Sequence, residues 1–468
     1  MSALICYSAF CAEAQDISAL AKSTNALSKK FSEQLEFLDG STLHGQLRSI
    51  DSGKGLKWEH PAAKQPIDFK PENISSIRFP NANESIEPNS GPTCQFQFAN
   101  GDEFYGNLLS LDENELELQT WFGGKFKTPR AAVQSIRFFP KGAALIYEGP
   151  TSLDGWQVGK AATPPAAPAW RYEDGALIAD STGTIGRDLK LPDSSRLEFD
   201  LAWNAPFNLL FSFYTGVFDG FNYNNSSYMF YISPGNILLQ RINAGTGPSA
   251  MERSETILSM LSKKKVHLEF RGNKEESTLE LLVDGKLVNH WNDKAGWAGQ
   301  GSGILFFAQN ESALKISNLK VSAWDGRPTT ESATNAPSGE DQISFVNRDK
   351  VSGKVATLRE GNLQFKSPAA ALEIPLQRIT QIIFGGVSTN KIPRAPWEIQ
   401  ASVSGGGKIS FALENWSSEK VFGQNKNFGK ISLNSKSIRQ IQFNLGQARV
   451  AAGEVNPADG IIWEDNEQ

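Results

Sequence analysis

The sequence predicts an all-β protein: a jelly-roll sandwich flanked on each side by a pair of small five-stranded β-barrel repeats. Three observations carry that expectation. One unit recurs four times, twice before the centre of the chain and twice after it. Glycine-containing turns separate runs in which apolar and polar residues alternate, the period-two pattern of half-buried strands. The centre is a series of strand-like runs divided by turns.

The first unit, Gln34 to Phe79, reads QLEFLDGSTLHGQLRSI and closes on ISSIRF. The second, Thr93 to Phe138, opens on TCQFQFANGDEFYGNLLSL and closes on VQSIRF. Asp39-Gly40 falls on Asn100-Gly101, Leu43 on Phe104, Gly45 on Gly106 and Ile77-Arg78-Phe79 on Ile136-Arg137-Phe138. The third, Gln342 to Phe384, places Asn347-Arg348, Val351 and Gly353 at the same offsets and ends on Ile382-Ile383-Phe384. The fourth, Trp397 to Phe443, has Gly405-Gly406, Ile409 and Ile441-Gln442-Phe443. Asp-Gly and Asn-Gly are preferred hairpin turns because both residues tolerate positive φ, so each unit reads as five short strands. In strand number and turn placement the unit resembles small barrels of the SH3-like and Sm-like type. Glycines at 45, 106 and 353 lie mid-strand, where they mark a sharp bend or a close backbone approach. The fourth unit has Phe411 there, which predicts a different bend.

Boundaries follow from composition. The repeats occupy residues 34–80, 93–141, 341–386 and 395–446, and the centre spans 145–325. Pro80 to Pro92 and the 326–340 stretch are rich in Pro, Ser, Thr, Asn and Gly and read as linkers; residues 447–468 form a tail. At the N-terminus an apolar run precedes Ala12-Glu13-Ala14, a small-x-small cleavage pattern, which predicts a signal peptide over 1–14 and export to the periplasm, cell surface or medium. The positive n-region is missing, so a plain apolar N-terminus is the other reading. Ile17, Leu20, Leu27 and Phe31, on three- and four-residue steps around Thr24, predict a short helix over 15–33, unless that segment is a linker.

Composition narrows the function. A net charge of −5 gives no general attraction to phosphate backbones, so nucleic acid is not expected as a partner. No stretch approaches the roughly 18 unbroken apolar residues of a membrane span. Cys6 and Cys11 fall in the leader, which leaves Cys94 without an intrachain disulfide partner. His44, His60, His267 and His290 are scattered without metal-ligand spacing, and neither a metal nor a cofactor is expected.

In the centre, RLEFDLAW (Arg196 to Trp203), LLFSFY (Leu209 to Tyr214), YMFYI (Tyr228 to Ile232), VHLEFR (Val266 to Arg271), LELLV (Leu279 to Val283) and GILFF (Gly303 to Phe307) read as strands of an antiparallel two-sheet sandwich. Gly155-Trp156, Trp170 followed by Glu173-Asp174-Gly175-Ala176-Leu177, Leu282-Val283-Asp284-Gly285 and Ile316-Ser317-Asn318-Leu319-Lys320-Val321 resemble the concanavalin-like lectin/glucanase superfamily. Within it they are most similar to the 3-keto-disaccharide hydrolase domain family. The resemblance implies a curved sheet whose concave face holds a sugar. The chain departs from that family where function lies: an Asn-Ser-Gly triplet is replaced by Asn204-Ala205-Pro206, and an aromatic-acidic pair by Tyr228-Met229.

Glu198 and Asp200 share one face of a strand and are the candidate catalytic carboxylates, although no third acid follows as in laminarinase-type hydrolases. Their other reading is the solvent side of that strand. The densest candidate for ligand binding is Phe207 to Tyr231, where Phe218, Phe221 and Tyr223 alternate with Asp219, Asn222, Asn224 and Asn225. Ring faces beside short amides and carboxylates suit sugars; the same asparagines also suit turn caps. Arg241, with Trp203, Gln240, Gln309 and Asn310, falls near strand ends and is a further candidate. The expected function is an exported, non-catalytic protein that binds glycan or acts as an envelope scaffold, with the barrels contacting envelope proteins or another copy. The alternative is a divergent glycoside hydrolase of the 3-keto-disaccharide type.

Overall fold

The computed structural model describes residues 33–79, 94–139, 145–159, 168–309, 313–326, 339–387 and 397–445, apart from 174, 252–254, 258–259, 261–262, 325 and 348. The predicted leader, the helix except Glu33, most of both linkers, the tail and Asn310 lie outside the described residues. Among the described residues no helix is long and apolar enough to cross a membrane.

The fold is all-β with antiparallel sheets, and each repeat has one order: four strands, a turn of 3-10 helix, a fifth strand. The first comprises Glu33–Phe37, Thr42–Asp51, Gly55–Glu59, Ile67–Phe69 and Ile74–Arg78; the second Cys94–Phe98, Glu103–Leu111, Glu115–Thr120, Gly124–Pro129 and Val133–Phe138. The third comprises Asp341–Phe345, Lys350–Arg359, Asn362–Lys366, Ala371–Pro375 and Ile379–Ile383; the fourth Glu398–Val403, Gly407–Trp416, Lys420–Asn425, Gly429–Asn434 and Ile438–Gln442. The long second strand carries a register shift at one equivalent place in all four, at Leu47/Ser49, Leu108/Ser110, Val355/Thr357 and Leu413/Asn415. Such bulges bend a strand and let it serve two sides of a curled sheet.

The mid-strand glycines lie just before that bulge. A Cβ at Gly106 would meet the Gln119 carbonyl oxygen at 2.6 Å, and one at Gly45 would run into Trp58 and Glu59. The fourth repeat solves the same crowding in reverse. Phe411 occupies the glycine position, and Gly423 on the facing strand makes room, since a Cβ there would lie 2.5 Å from Phe411. Small and large residues have changed strands while the bend is kept.

Two compact units result. One holds the first repeat with most of the fourth, the other the second and third repeats with the sandwich. Closing strands join the repeats in each: Ile77 pairs with Ile441 in the first unit, and Ile136 with Ile382 in the second. Pairing is therefore nested across the centre of the sequence. In the second unit Arg130 ion-pairs with buried Asp341 and lies 4.9 Å over the Phe384 ring. Asp341 also accepts the Val355 and Gly385 N–H groups, at 2.8 and 3.1 Å.

The sandwich has two sheets. One runs Trp170–Glu173, Ala176–Ala179, Leu314–Ala323, Ser194–Trp203, Lys265–Asn273, Thr278–Val283, Lys286–Asn292; the other runs Gln157–Val158, Gly183–Asp188, Gly303–Ala308, Leu209–Thr215, Ser227–Ser233, Asn236–Asn243, Gly247–Ala250. Alternate residues of each meet in the core. Phe211 and Phe230 both lie 4.6 Å from Phe270, and Phe199 packs edge-on to Phe306 at 5.2 Å. Each such ring contributes roughly 1.5–3 kcal/mol by burial, and together they hold the sheets face to face.

Candidate functional site

Alternation leaves each sheet an outer face, and the two differ chemically. On the first sheet the outward residues are Arg196, Glu198 and Asp200 of one strand and His267, Glu269 and Arg271 of its neighbour. Register sets Glu198 opposite Glu269, Arg196 opposite Arg271 and Asp200 opposite His267. Like charges directly opposite are unfavourable, and diagonal pairing relieves them. Arg196 bonds Glu269 at 2.9 Å, and Arg271 reaches Glu269 at 2.6 Å and Glu280 at 3.2 Å. Asp200 accepts from Asn318 at 2.7 Å and meets His267 Nδ1 at 2.7 Å.

Burial alone would raise the Glu198 carboxyl, but Arg196 and Lys320 outweigh it and hold it below its usual value. Burial acts likewise on Asp200, where the His267 hydrogen bond and Lys265 prevail and hold it at about 2. Burial lowers His267, but the Asp200 hydrogen bond and the Asp200, Glu198 and Glu269 charges outweigh it and raise the ring above its usual value. His290 Nδ1 meets Glu280 at 3.2 Å. One oxygen or nitrogen from each of Glu198, His267 and Glu269 falls within 4.8 Å of the others. Arg196, Arg271 and Lys320 already meet the two carboxylates. This lattice has the chemistry of a largely buried ion-pair network, with both strand carboxylates engaged by cations.

The second sheet carries a different face. Register aligns Thr184, Phe307, Leu210, Tyr231 and Leu238 in one row and Gly186, Leu305, Ser212, Met229 and Gln240 in the next. Onto it folds the 216–226 loop, and missing side chains let it lie close. A Cβ at Gly186 would sit 2.6 Å from the Phe218 carbonyl oxygen, one at Gly159 2.5 Å from that of Asp219, and one at Gly303 would strike the Phe218 ring. Thr184 Oγ1 donates to the Asp219 carbonyl at 3.3 Å.

Beyond that crossing Phe221 stacks on Phe307 at 5.7 Å, and Tyr223 meets Phe221 edge-on at 5.0 Å. Leu210, Met229 and Ile242 lie buried beneath, against Phe221, Tyr231 and Phe307. Tyr223 remains 46% exposed. Asp219, Asn222 and Asn224 of the same loop are exposed, while Phe218, Phe221, Tyr231 and Phe307 are half-buried. Beside Phe218 opens a polar cleft of about 380 Å³, lined also by Asp188, Asp193, Tyr214, Lys274 and Gln300. The arrangement offers ring faces, hydroxyls and amides over an apolar floor.

Of the residues singled out in sequence, Phe218, Asp219, Phe221, Tyr223 and Asn224 come together here. Asn225 supports the loop, its Nδ2 bonding Thr215 Oγ1, and Asn222 Oδ1 caps the turn by accepting the Asn224 N–H at 2.9 Å. Arg241 lies elsewhere: it shares the inward face of its neighbour Tyr228, bonds Asp293 at 2.7 Å and donates to the Gly296 carbonyl at 3.1 Å. With Tyr228 Oη on the same carboxylate at 2.7 Å, it fastens the 293–298 segment to the sandwich. Trp203 is buried against Phe207, and Gln240 stands half-buried on the outer face. Glu198 and Asp200 lie on the other sheet. Tyr231 ends the candidate stretch but reads in sequence as a core or ordinary sheet-face residue, and Phe307 reads only as a strand residue; both stand in nearly continuous apolar runs, where the alternation that assigns faces is weak.

No family model and no curated protein matches the chain. Among solved structures it is similar to the carbohydrate-binding module CBM66 of Bacillus subtilis, at 12% identity and TM-score 0.26, over 36% of this chain and 96% of that one. It is also similar to the carbohydrate recognition domain of Emp47p (14% identity, TM-score 0.29, 39% of this chain and 94% of that one). A third is a protein of unknown function with a galectin-like fold from Bacillus subtilis (11%, 0.28, 38% and 96%). At these identities and TM-scores the likenesses bear no weight on function.

Proposed function

We propose that the protein is an exported, non-catalytic glycan-binding protein of the cell envelope. Sugar is taken on the aromatic face of the sandwich, and the repeats act as small SH3- or Sm-like barrels that contact other envelope proteins. The observation that carries this reading is the exposed Tyr223, braced edge-on by Phe221 on Phe307, on a loop that also exposes Asp219, Asn222 and Asn224. Pyranose rings present C–H faces that stack on aromatic rings, while their hydroxyls take directional bonds from short amide groups. A non-catalytic role is supported by Glu198 and Asp200, which lie on the other sheet in ion pairs. The leader-like residues 1–14 motivate export.

The test is titration of the full chain against a glycan panel by calorimetry, beside Tyr223→Ala and Phe221→Ala. Saturable binding that either substitution weakens about tenfold or more, roughly 1.4 kcal/mol, is the expected result. A panel without saturable binding, or binding untouched by both substitutions, contradicts the proposal.

A further inference from the structure

We infer that the aromatic face selects uncharged glycans and discriminates against uronate, sulfated and cationic ones; this rests on the glycan-binding reading above. The inference comes from the distribution of charge on the sandwich. The strands Leu209–Thr215, Ser227–Ser233, Gly303–Ala308 and Gly247–Ala250 contain no charged residue. Asp219 is the single charged residue of the 216–226 loop. The neighbouring sheet carries a dense ion lattice, whereas charge about this face, among the described residues, is confined to Asp219 and to the Lys190–Asp188 and Lys274–Asp193 pairs at the cleft beside Phe218.

Four cations on or beside these strands are engaged by other groups. Arg187 lies 4.9 Å over the Tyr147 ring and donates to the Asp154 carbonyl at 2.7 Å. Arg241 is held by Asp293. Lys190 pairs with Asp188, whose carboxylate also accepts from Ser302 Oγ at 2.7 Å. Lys274 pairs with Asp193 at 3.2 Å.

A carboxylate or sulfate laid across Tyr223 and Phe221 would therefore lose hydration over an apolar floor and find only cations that already have partners, with Asp219 adding repulsion. A protonated amino sugar would have Asp219 as its partner. That carboxylate lies on the exposed rim, where pairing is weak, while the ring contacts that dominate are shared with the neutral sugar. Hydroxyl and N-acetyl groups suit what the face supplies: Tyr223 Oη, the Asn222 and Asn224 side chains, and Gln240. Binding without ion pairs is also insensitive to salt, because no counterions are released or screened.

The experiment titrates the full chain with matched oligosaccharides on three backbones: cellohexaose and its carboxymethyl derivative, chitohexaose and its deacetylated form, and an agarose-type hexamer with its sulfated counterpart. Each is measured at 20 mM and 500 mM NaCl. For whichever backbone binds, the neutral member is expected to bind at least tenfold tighter than the charged one, with less than twofold change between the two salts and loss in Tyr223→Ala. A charged member that binds more tightly, or an affinity that falls several-fold with salt, overturns the inference while the glycan-binding reading stands. Absence of binding by every member, extended to the wider panel, removes that reading and the inference with it.

Discussion

At the scale of single residues, the ionisable side chains outside the aromatic face have structural uses with measurable signatures. His267 is raised by its bond to Asp200, so the charged pair stabilises the fold at pH below the unfolded histidine value, and that contribution is lost as pH rises through the folded one. Asp200 sets the lower limit, because its contribution is lost as pH falls through about 2. NMR titration of the His267 ring should give a midpoint above 6.5 in the native protein and a clearly lower one in Asp200→Asn; equal midpoints would break the assignment. Glu33 behaves oppositely to most carboxylates. Burial pushes it up to about 7 against the Leu47 N–H and Arg48, so folding favours its protonated form. Its contribution to stability is fully present below about 4.5 and is lost progressively as pH rises from there through about 7, by on the order of 3 kcal/mol. Denaturation midpoints at pH 5 and pH 8 should differ in the native protein and draw together in Glu33→Gln.

Elements show how the site depends on what is absent from it. The 216–226 loop reaches Phe307 because Gly159, Gly186 and Gly303 clear its path. Gly186→Leu should destabilise by about 1–3 kcal/mol through overpacking and lift the loop, abolishing glycan affinity while near-ultraviolet circular dichroism keeps the sandwich signature. Retained affinity would mean that the loop does not form the site. Five strands per repeat and the turn positions were legible in the sequence, since Asp-Gly, Asn-Gly and Gly-Gly turns act locally and alternation gives each strand a wet and a dry side. The exchange of Phe411 and Gly423 was only half legible. The missing glycine is visible in the fourth repeat, but its compensation lies on a facing strand, and pairing register decides which residues meet.

For the whole molecule, the nested pairing of closing strands matters most. The first repeat depends on a partner more than three hundred residues away: Ile77 pairs with Ile441, Phe79 stacks on Trp416 at 5.1 Å, and Asn444 Nδ2 donates to the Pro71 and Ile74 carbonyls at 2.7 and 2.8 Å. A chain truncated before Trp397 loses these contacts and leaves the Ile74–Arg78 edge without that partner, a template for another chain. Light scattering should show concentration-dependent self-association of the truncated protein but not of the intact one; a truncated chain that stays monomeric and equally stable would contradict this role for the pairing. Sequence alone was enough for the five strands of each repeat, the main strands of the sandwich, their turns, the four-fold recurrence and the aromatic-amide loop, because each follows from local backbone preference and period-two burial; the short strands Gln157–Val158, Gly183–Asp188 and Gly247–Ala250 were not legible in it. Only tertiary structure decided which repeats pair, that Glu198 and Asp200 stand in an ion lattice on one sheet, that Arg241 turns inward to Asp293, and that Tyr231 and Phe307 join the loop on the other. Those outcomes depend on sheet order and register, which bring together residues far apart in the chain and leave no local mark in it.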